Sequence, residues 1–394
     1  MSRRAIIAGA GIGGLAAALA LSRARFDVTL YERAEALEEF GAGLQLTPNA
    51  THVLSDLGVL DRVESFALRT RAIIAIRGSD DAVLMRMPIN GAVGRGDTPY
   101  LTIHRADLQR ALAEAARRQP NVKLCFGSTV AEIETNGDRI SVGVKQGATT
   151  IHDSADLLIG ADGLRSRVRE RFRFGKADRL AFVGCVAFRA TADSARVDSG
   201  WTRPEVCLRL GSRAHLVHYP MRGGSILNLV AVIESTWHSA DDDHPWDGEA
   251  DRPTLDRAFS RWSKATRDLL AATSHWRAWP LYCRPPIASF SIGRIALLGD
   301  AAHPMVPFLA QGAAQAIEDA GVLGRVFSQI QSIPDGLVTY SRVRVGRMAR
   351  IQIEAKKHGR TYHLNGPMSF ARDASMRLLG AGRLSSRYDW LYGA

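Results

Sequence analysis

The chain has 394 residues, of which 46% are hydrophobic and 23% charged, fractions that exclude collagenous, disordered and mucin-like classes. That length suffices to bury a sizeable core without metal or disulfide staples. The net charge of +11 is the unusual number, and it raises a nucleic-acid or membrane-surface reading.

Arg3 and Arg4 precede an apolar stretch to Leu21, which resembles an export signal. Glycines at 9, 11, 13 and 14 interrupt it, and a strand–turn–helix–strand unit explains every residue: Ala5–Ala8, Ile12–Arg25 and Asp27–Tyr31. No run approaches the ~20 apolar residues of a spanning helix. Cys125, Cys185, Cys207 and Cys283 form no Cys-x-x-Cys, so no zinc knuckle or redox pair is expected, and the cytoplasm is the expected compartment.

A glycine-rich loop at Gly41–Gly43 leads to a helix over Pro48–Leu57, and His104–Arg118 is amphipathic, with Leu108, Leu112 and Ala115 on one face. Strands follow at Val122–Phe126, Thr129–Glu134 and Ile140–Lys145, the last two joined by a turn at Asn136-Gly137. A buried strand, Asp156–Ile159, ends in Gly160-Ala161-Asp162-Gly163. Near residue 175 the pattern changes to strands in succession: Leu180–Thr191, Glu205–Leu210, Ala214–Pro220 and Ser225–Glu234, which indicates an antiparallel sheet. An acidic loop, Asp241–Asp251, precedes one helix from Thr254 to Ala272. Asp241-Asp242-Asp243-His244 lacks the alternating acidic pattern of a calcium loop, so no metal site is expected. The strand Arg294–Leu298 ends in Gly299-Asp300, a helix runs from Gly312 to Ser328, and the rest is mostly helical.

Gly9-x-Gly11-x-x-Gly14 lies between strand and helix, with Glu32 closing the next strand and Arg33 after it a further cofactor-binding candidate. The first glycine makes the turn, the second admits a pyrophosphate against the backbone, and the third lets helix pack on sheet. The helix N-terminus offers free N–H groups to phosphate, and Glu32 can accept ribose hydroxyls while repelling a 2′-phosphate. The pattern fits NAD or FAD.

Two later segments separate these. Asp162-Gly163-Leu164-Arg165-Ser166-Arg167-Val168-Arg169 resembles the Asp-Gly motif of flavoprotein aromatic hydroxylases, and Gly299-Asp300-Ala301-Ala302-His303-Pro304, with Pro307 and Gln311-Gly312, resembles their Gly-Asp motif. In this order and spacing the chain is similar to the single-component FAD-dependent monooxygenases of the 4-hydroxybenzoate hydroxylase family, nearest those acting on salicylate, 3-hydroxybenzoate and 6-hydroxynicotinate.

The resemblance implies an α/β fold: a Rossmann-like FAD-binding domain of the GR2 flavoprotein type, an antiparallel-sheet substrate domain and a helical C-terminal segment. The expected divisions are 1–175 for the FAD-binding domain, with a small substrate-side insertion near 71–100, 176–275 for the substrate sheet, 276–340 for the return, and 341–394 for the basic helical segment. It implies FAD as cofactor, NADH or NADPH and O2 as co-substrates, a small aromatic acid as substrate, oxygen transfer from a flavin C4a-hydroperoxide, no nucleic-acid or membrane partner, and room for a homodimer. Arg105 is implied to contact the flavin, Leu44 and Gln45 to lie beside the isoalloxazine, and Val130 to meet adenine through its backbone. Asp162 either serves both cofactors or caps a helix over Leu164–Phe172. Asp300 can accept a ribitol hydroxyl, with Pro307 beside it, and the helix at Gly312 and Ala313 aims its positive end at the flavin pyrimidine. Ala310 stands where many relatives have glycine, and its methyl is tolerable at negative φ. His303 is expected to serve packing.

An electrophilic oxygen donor requires an electron-rich ring, so a phenol reacts as phenolate and needs a base at its oxygen. Strand alternation puts His215, Val217 and Tyr219 on one face and His218 on the other. His215 is the expected base and Tyr219 the carboxylate or ring partner, with His218 the spare candidate. Salicylate, attacked at the carboxyl-bearing carbon, would give catechol and CO2. Alternatives are an epoxidase, reductase or oxidase on the same fold, or a basic FAD-binding protein docking on nucleic acid or membrane. The charge itself is localised: residues 342–394 hold eleven basic residues against three acidic ones. That segment packs on acidic groups of its own chain or of a second subunit, attracts anions, or is solvated.

Overall fold

The computed structural model describes residues 3–37, 43–89, 98–174, 178–235, 248–249, 251–273 and 275–392. The apolar strand Arg3–Ala8 pairs in parallel with Phe26–Tyr31 on one side and Leu157–Gly160 on the other, at the centre of a six-stranded sheet. The helix Ile12–Arg23 is built of small residues, and Ala16, Ala17 and Ala18 are wholly buried. Its size permits close approach: a Cβ on Gly324 of the helix Gly312–Gln329 would lie 3.1 Å from the Ala20 methyl. Phe26 meets Phe327 edge-on at 5.3 Å, and the Arg3 guanidinium caps the Phe26 ring at 4.1 Å.

The second layer is an eight-stranded sheet in the order 248–249, 277–283, 181–193, 226–234, 214–221, 205–211, 72–77 and 83–88. Period-two alternation gives it two faces. Val186, Phe188, Leu216, Leu229 and Ala231 pack beneath Leu255, Phe259, Trp262 and Trp276. Cys185, Ala187 and Val232 belong to a different cluster, with Val230 and Phe308 against it.

Three details differ from the sequence expectations. The single helix over 254–272 is two, Arg252–Ala258 and Lys264–Ala271. Ser263 starts the second, its Oγ accepting the Thr266 N–H at 3.1 Å. Between them Trp262 packs so closely on Gly78 and Gly211 that a Cβ on either would come within 2.4 Å of the indole. The strand Arg277–Cys283 pairs with Ala181–Asp193, so the substrate sheet continues past residue 275. Thr149–Ala155 is an additional strand pairing with Arg139–Gln146, and its exposed edge carries little apolar patterning. Asp241-Asp242-Asp243-His244 lies outside the described residues, as do Gly41 and Ala42.

The long helix Ile333–Tyr362 brings part of the basic segment inward. Arg344 is buried, with its Nε 2.6 Å from Asp319 Oδ1 and its Nη1 donating to Glu318. Arg347 Nε donates to Glu318 at 2.5 Å. Farther along, Arg372 donates to Asp373, which also accepts from Arg77 at 2.7 Å. These positive charges neutralise carboxylates of the same chain. Among the described residues no helix is long and apolar enough to cross a membrane.

Candidate active site

Gly9 adopts φ +104°, and a Cβ there would lie 2.5 Å from the Ala161 carbonyl oxygen. A Cβ on Gly14 would come within 1.9 Å of the Gly9 oxygen, a separation no side chain can occupy. Gly11 is the opposite case, with nothing within 4 Å of the added Cβ, because it faces a cleft. Gly11 is the N-cap of the helix Ile12–Arg23 and supplies no side-chain cap, which leaves first-turn N–H groups for a ligand in the cleft that Gly11, Ile12 and Gly13 line. Glu32 accepts the Ala10 N–H at 2.6 Å and the Ala34 N–H at 3.0 Å, one bond per oxygen, which leaves lone pairs on both. Gln109 steadies the loop from the side by donating to the Ala10 carbonyl at 2.8 Å, a contact the sequence reading did not include.

The cleft, of about 310 Å³, brings together Gly11, Leu44, Gln45, Arg105, Asp300, Pro307, Gly312, Ala313, His215 and Tyr219. Gly9 and Gly14 act behind it through packing. Glu32 stands at the end of its strand next to exposed Arg33, and Val130 is buried in the strand Ser128–Asn136 opposite Val144. Asp162 sits between the lining residues Ala161 and Gly163. Its Oδ2 accepts the N–H groups of Arg167 and Val168 at 2.8 and 3.3 Å, while Ser166 Oγ accepts that of Arg169, so both residues cap the helix Arg167–Phe172. Burial pushes the Asp162 carboxyl up from its ordinary value.

Ala310 corrects one expectation. It sits at φ +52°, in the left-handed region, where its N–H closes the turn Pro307–Leu309 onto the Pro307 carbonyl at 2.9 Å. Alanine holds a glycine-like conformation there, at a cost of about 1 kcal/mol.

The groups present fit a dinucleotide flavin. A second helix, starting at Gly312, also lacks a side-chain cap, and nothing would lie within 4 Å of a Cβ on Gly312. Exposed Asp300 stands at the strand end in the same cleft. Two uncapped helix N-termini therefore meet one cleft with a carboxylate beside them, an arrangement suited to an anionic, hydroxyl-bearing ligand. Behind the Asp300 turn, Asp319 accepts the Gly299 N–H at 2.9 Å and bonds His303 Nε2 at 2.6 Å, which gives His303 a structural place in the buried ionic cluster.

The substrate sheet forms the opposite wall. His215, Val217 and Tyr219 line the cleft from the strand Ala214–Met221. His218 points the other way, accepting from Arg209 Nε at 3.2 Å and meeting Trp201 edge-on at 5.0 Å. Burial and then the Arg209 charge lower the His218 pKa to about 3. His215 is also buried, and burial followed by the neighbouring His363 holds it neutral, well below the usual histidine value. Burial pushes the Tyr219 hydroxyl up, so it stays protonated as a donor. Gly43 makes room for it, since a Cβ there would lie 2.6 Å from the Tyr219 ring, and the Gly43 N–H donates to Asn228 Oδ1 at 2.7 Å.

Two residues in this wall escaped the sequence reading. Arg189 lines the cleft from the strand Ala181–Asp193, its guanidinium 5.1 Å over the Trp279 ring. Alternation from Cys185 and Ala187 could have found it, because an arginine on a buried face signals a charge partner. His363, whose Nε2 is 2.8 Å from His215 Nδ1, ends a helix 148 residues away, and no local pattern announces it.

The profile of the FAD binding domain family matches residues 3–353. The chain is 35% identical over 396 residues to 3-hydroxybenzoate 6-hydroxylase from Polaromonas naphthalenivorans, covering 98% of this chain and 95% of that protein. Among solved structures it resembles Klebsiella pneumoniae HpxO complexed with FAD and uric acid, with a TM-score of 0.86, 25% identity and coverage of 99% and 97%. It also resembles a salicylate hydroxylase substrate complex, with a TM-score of 0.83, 25% identity and coverage of 99% and 95%.

Proposed function

This chain belongs to the FAD binding domain family and is an FAD-dependent aromatic hydroxylase, and from that premise we propose that its substrate is a small phenolic acid held against the sheet wall of the cleft. The observation that carries the proposal is the grouping on one wall of a neutral histidine, a protonated tyrosine and an arginine: His215, Tyr219 and Arg189. Arg189 supplies the positive charge for a carboxylate, as a charge-assisted pair. Tyr219 donates to the carboxylate or the ring oxygen. His215 accepts the phenolic proton, which raises the electron density of the ring to be attacked.

Bound in the cleft, FAD would accept two electrons from NAD(P)H and pass them to O2. The first turn at Gly11 would hold its pyrophosphate, Glu32 a ribose and Asp300 the ribitol chain. Val130 would meet adenine through its backbone, with Arg33 beside Glu32. Leu44, Gln45, Arg105, Pro307 and Ala313, which line the cleft, would surround the ring, and the Gly312 helix would place positive potential at its edge. Asp162, by holding its turn, shapes the side where the nicotinamide approaches.

Salicylate and 3-hydroxybenzoate are the leading substrates within this class. Salicylate attacked at the carboxyl-bearing carbon gives catechol and CO2, whereas 3-hydroxybenzoate attacked para to its hydroxyl gives 2,5-dihydroxybenzoate. The test is NADH and NADPH oxidation by the FAD-loaded protein with these two acids, 6-hydroxynicotinate and unsubstituted phenol, followed by product identification. One acid is expected to accelerate oxidation at least about tenfold over phenol, because only the acid engages Arg189, a difference of about 1.4 kcal/mol. Equal stimulation by phenol, or none by any acid, would overturn the reading.

A further inference from the structure

His215 separates two cavities. It lines the cleft on one side, and on the other it meets His363, which lines a second cavity of about 470 Å³ together with Glu234, Arg213, Lys356 and Arg360. His215 Nδ1 is 2.8 Å from His363 Nε2, and His363 Nδ1 is 3.3 Å from Glu234 Oε1. Phe308 and Tyr362 enclose the first contact, with ring centroids 5.4 and 5.3 Å from that of His215. Glu234 ends the strand Ile226–Glu234 at the surface, where Arg213 Nε donates to it at 2.9 Å.

The order of these groups fixes where the protons sit. A carboxylate only accepts, so His363 carries its proton on Nδ1, facing Glu234. Neutral His363 then offers Nε2 as an acceptor, and His215 must donate from Nδ1. That leaves the His215 Nε2 lone pair as the one available to the cleft.

We propose that His215, His363 and Glu234 form a proton relay that carries the substrate's phenolic proton out of the cleft to the second cavity, with His363 and Glu234 as positioning residues that set the His215 tautomer. This rests on the phenolic-acid reading above. The phenol O–H breaks as a proton bonds to His215 Nε2. The Nδ1 proton of His215 passes to His363 Nε2, and the Nδ1 proton of His363 passes to Glu234, which releases it to solvent. No electrons are exchanged, and the reverse sequence returns a proton to the product oxygen and restores both tautomers.

The surroundings favour transit over retention. His215 faces Tyr362, and Arg189 and Tyr219 share its cleft. His363 faces Glu234 and Arg372, with Lys356, Arg360, Cys185 and Cys283 around the second cavity. Burial lowers both histidines, and Glu234 offsets this only at His363.

The test uses the FAD-loaded protein with salicylate and 3-hydroxybenzoate, following phenolate absorbance on rapid mixing, with thermal midpoint and FAD content as fold controls. In His363→Gln and Glu234→Gln, phenolate formation at neutral pH is expected to slow about tenfold or more and to recover as pH rises. Nitrogen-15 histidine spectra without substrate should show His215 and His363 both protonated on Nδ1. Unchanged phenolate rates in both variants, or His215 protonated on Nε2, would overturn the relay. If neither acid gives a phenolate signal in the wild-type protein, the phenolic-acid reading fails, and the spectra still decide the proton arrangement.

Discussion

Replacing Arg344 by methionine is expected to destabilise the fold by about 3–5 kcal/mol, the usual result of removing one partner from a buried ionic cluster. Arg344 is 1% exposed and donates to both Asp319 and Glu318, so methionine fills the volume but leaves two buried carboxylates short of a counter-charge. The effect has a pH signature. Burial pushes both carboxyls up, yet His303 and Arg344 at Asp319, and Arg344 and Arg347 at Glu318, outweigh it and hold them below the ordinary range. An unfolded chain takes up these protons near pH 4, whereas the folded chain does so only at lower pH. Their contribution is therefore complete above about pH 4 and lost as pH falls through the depressed folded values. Without Arg344 the depression weakens, so the acid-unfolding midpoint should move upward. Asp319 also holds the Gly299 N–H beside Asp300, so FAD retention should fall with stability. Urea titration at pH 7 measures the loss, acid unfolding followed below about pH 5 measures the midpoint, and a loss under about 1 kcal/mol would contradict this reading of the buried cluster.

Replacing His215 by alanine is expected to lower the rate of ring hydroxylation about 10²- to 10⁴-fold at neutral pH, the range spanned by loss of a general base. NAD(P)H oxidation should persist, with its electrons appearing as hydrogen peroxide in place of hydroxylated product. Recovery should follow as pH approaches the phenol's own ionisation, because the phenolate then arrives from solution. His215→Gln separates chemistry from packing, since it keeps a polar side chain in the wall but cannot take the proton. Because burial and His363 keep His215 neutral, the wild-type profile should show no histidine limb near pH 6.5. A hydroxylation rate within about fivefold of wild type in both variants would contradict the role given to this residue.

What the sequence disclosed follows from the range over which each constraint acts. Gly9 and Gly14 were readable because their constraints are local: a positive φ in one case, a 1.9 Å backbone approach in the other. The orientations of His215, His218 and Tyr219 were readable because a strand alternates strictly, and the structure places them on the expected faces. Arg189 obeys the same alternation on the neighbouring strand, but which face of that strand meets the cleft is decided by the tertiary fold. The conformation of Ala310 and the break at Trp262 were not readable from residue type, since a turn closure and two glycines distant in sequence decide them. The basic C-terminal segment was the least legible part. Its sequence shows only excess charge, whereas the fold carries Arg344 into the core and puts His363 against His215.

The central claim, that one oxygen atom of O2 enters an aromatic acid in this cleft, is tested most directly by mass spectrometry of the product formed under ¹⁸O2. The FAD-loaded protein, NAD(P)H and the acid that most stimulates oxidation are the only other components. One ¹⁸O is expected in the new ring hydroxyl, with one hydroxylated product per NAD(P)H consumed. NAD(P)H consumption that yields an aromatic product without ¹⁸O, or no oxygenated aromatic at all, would contradict it.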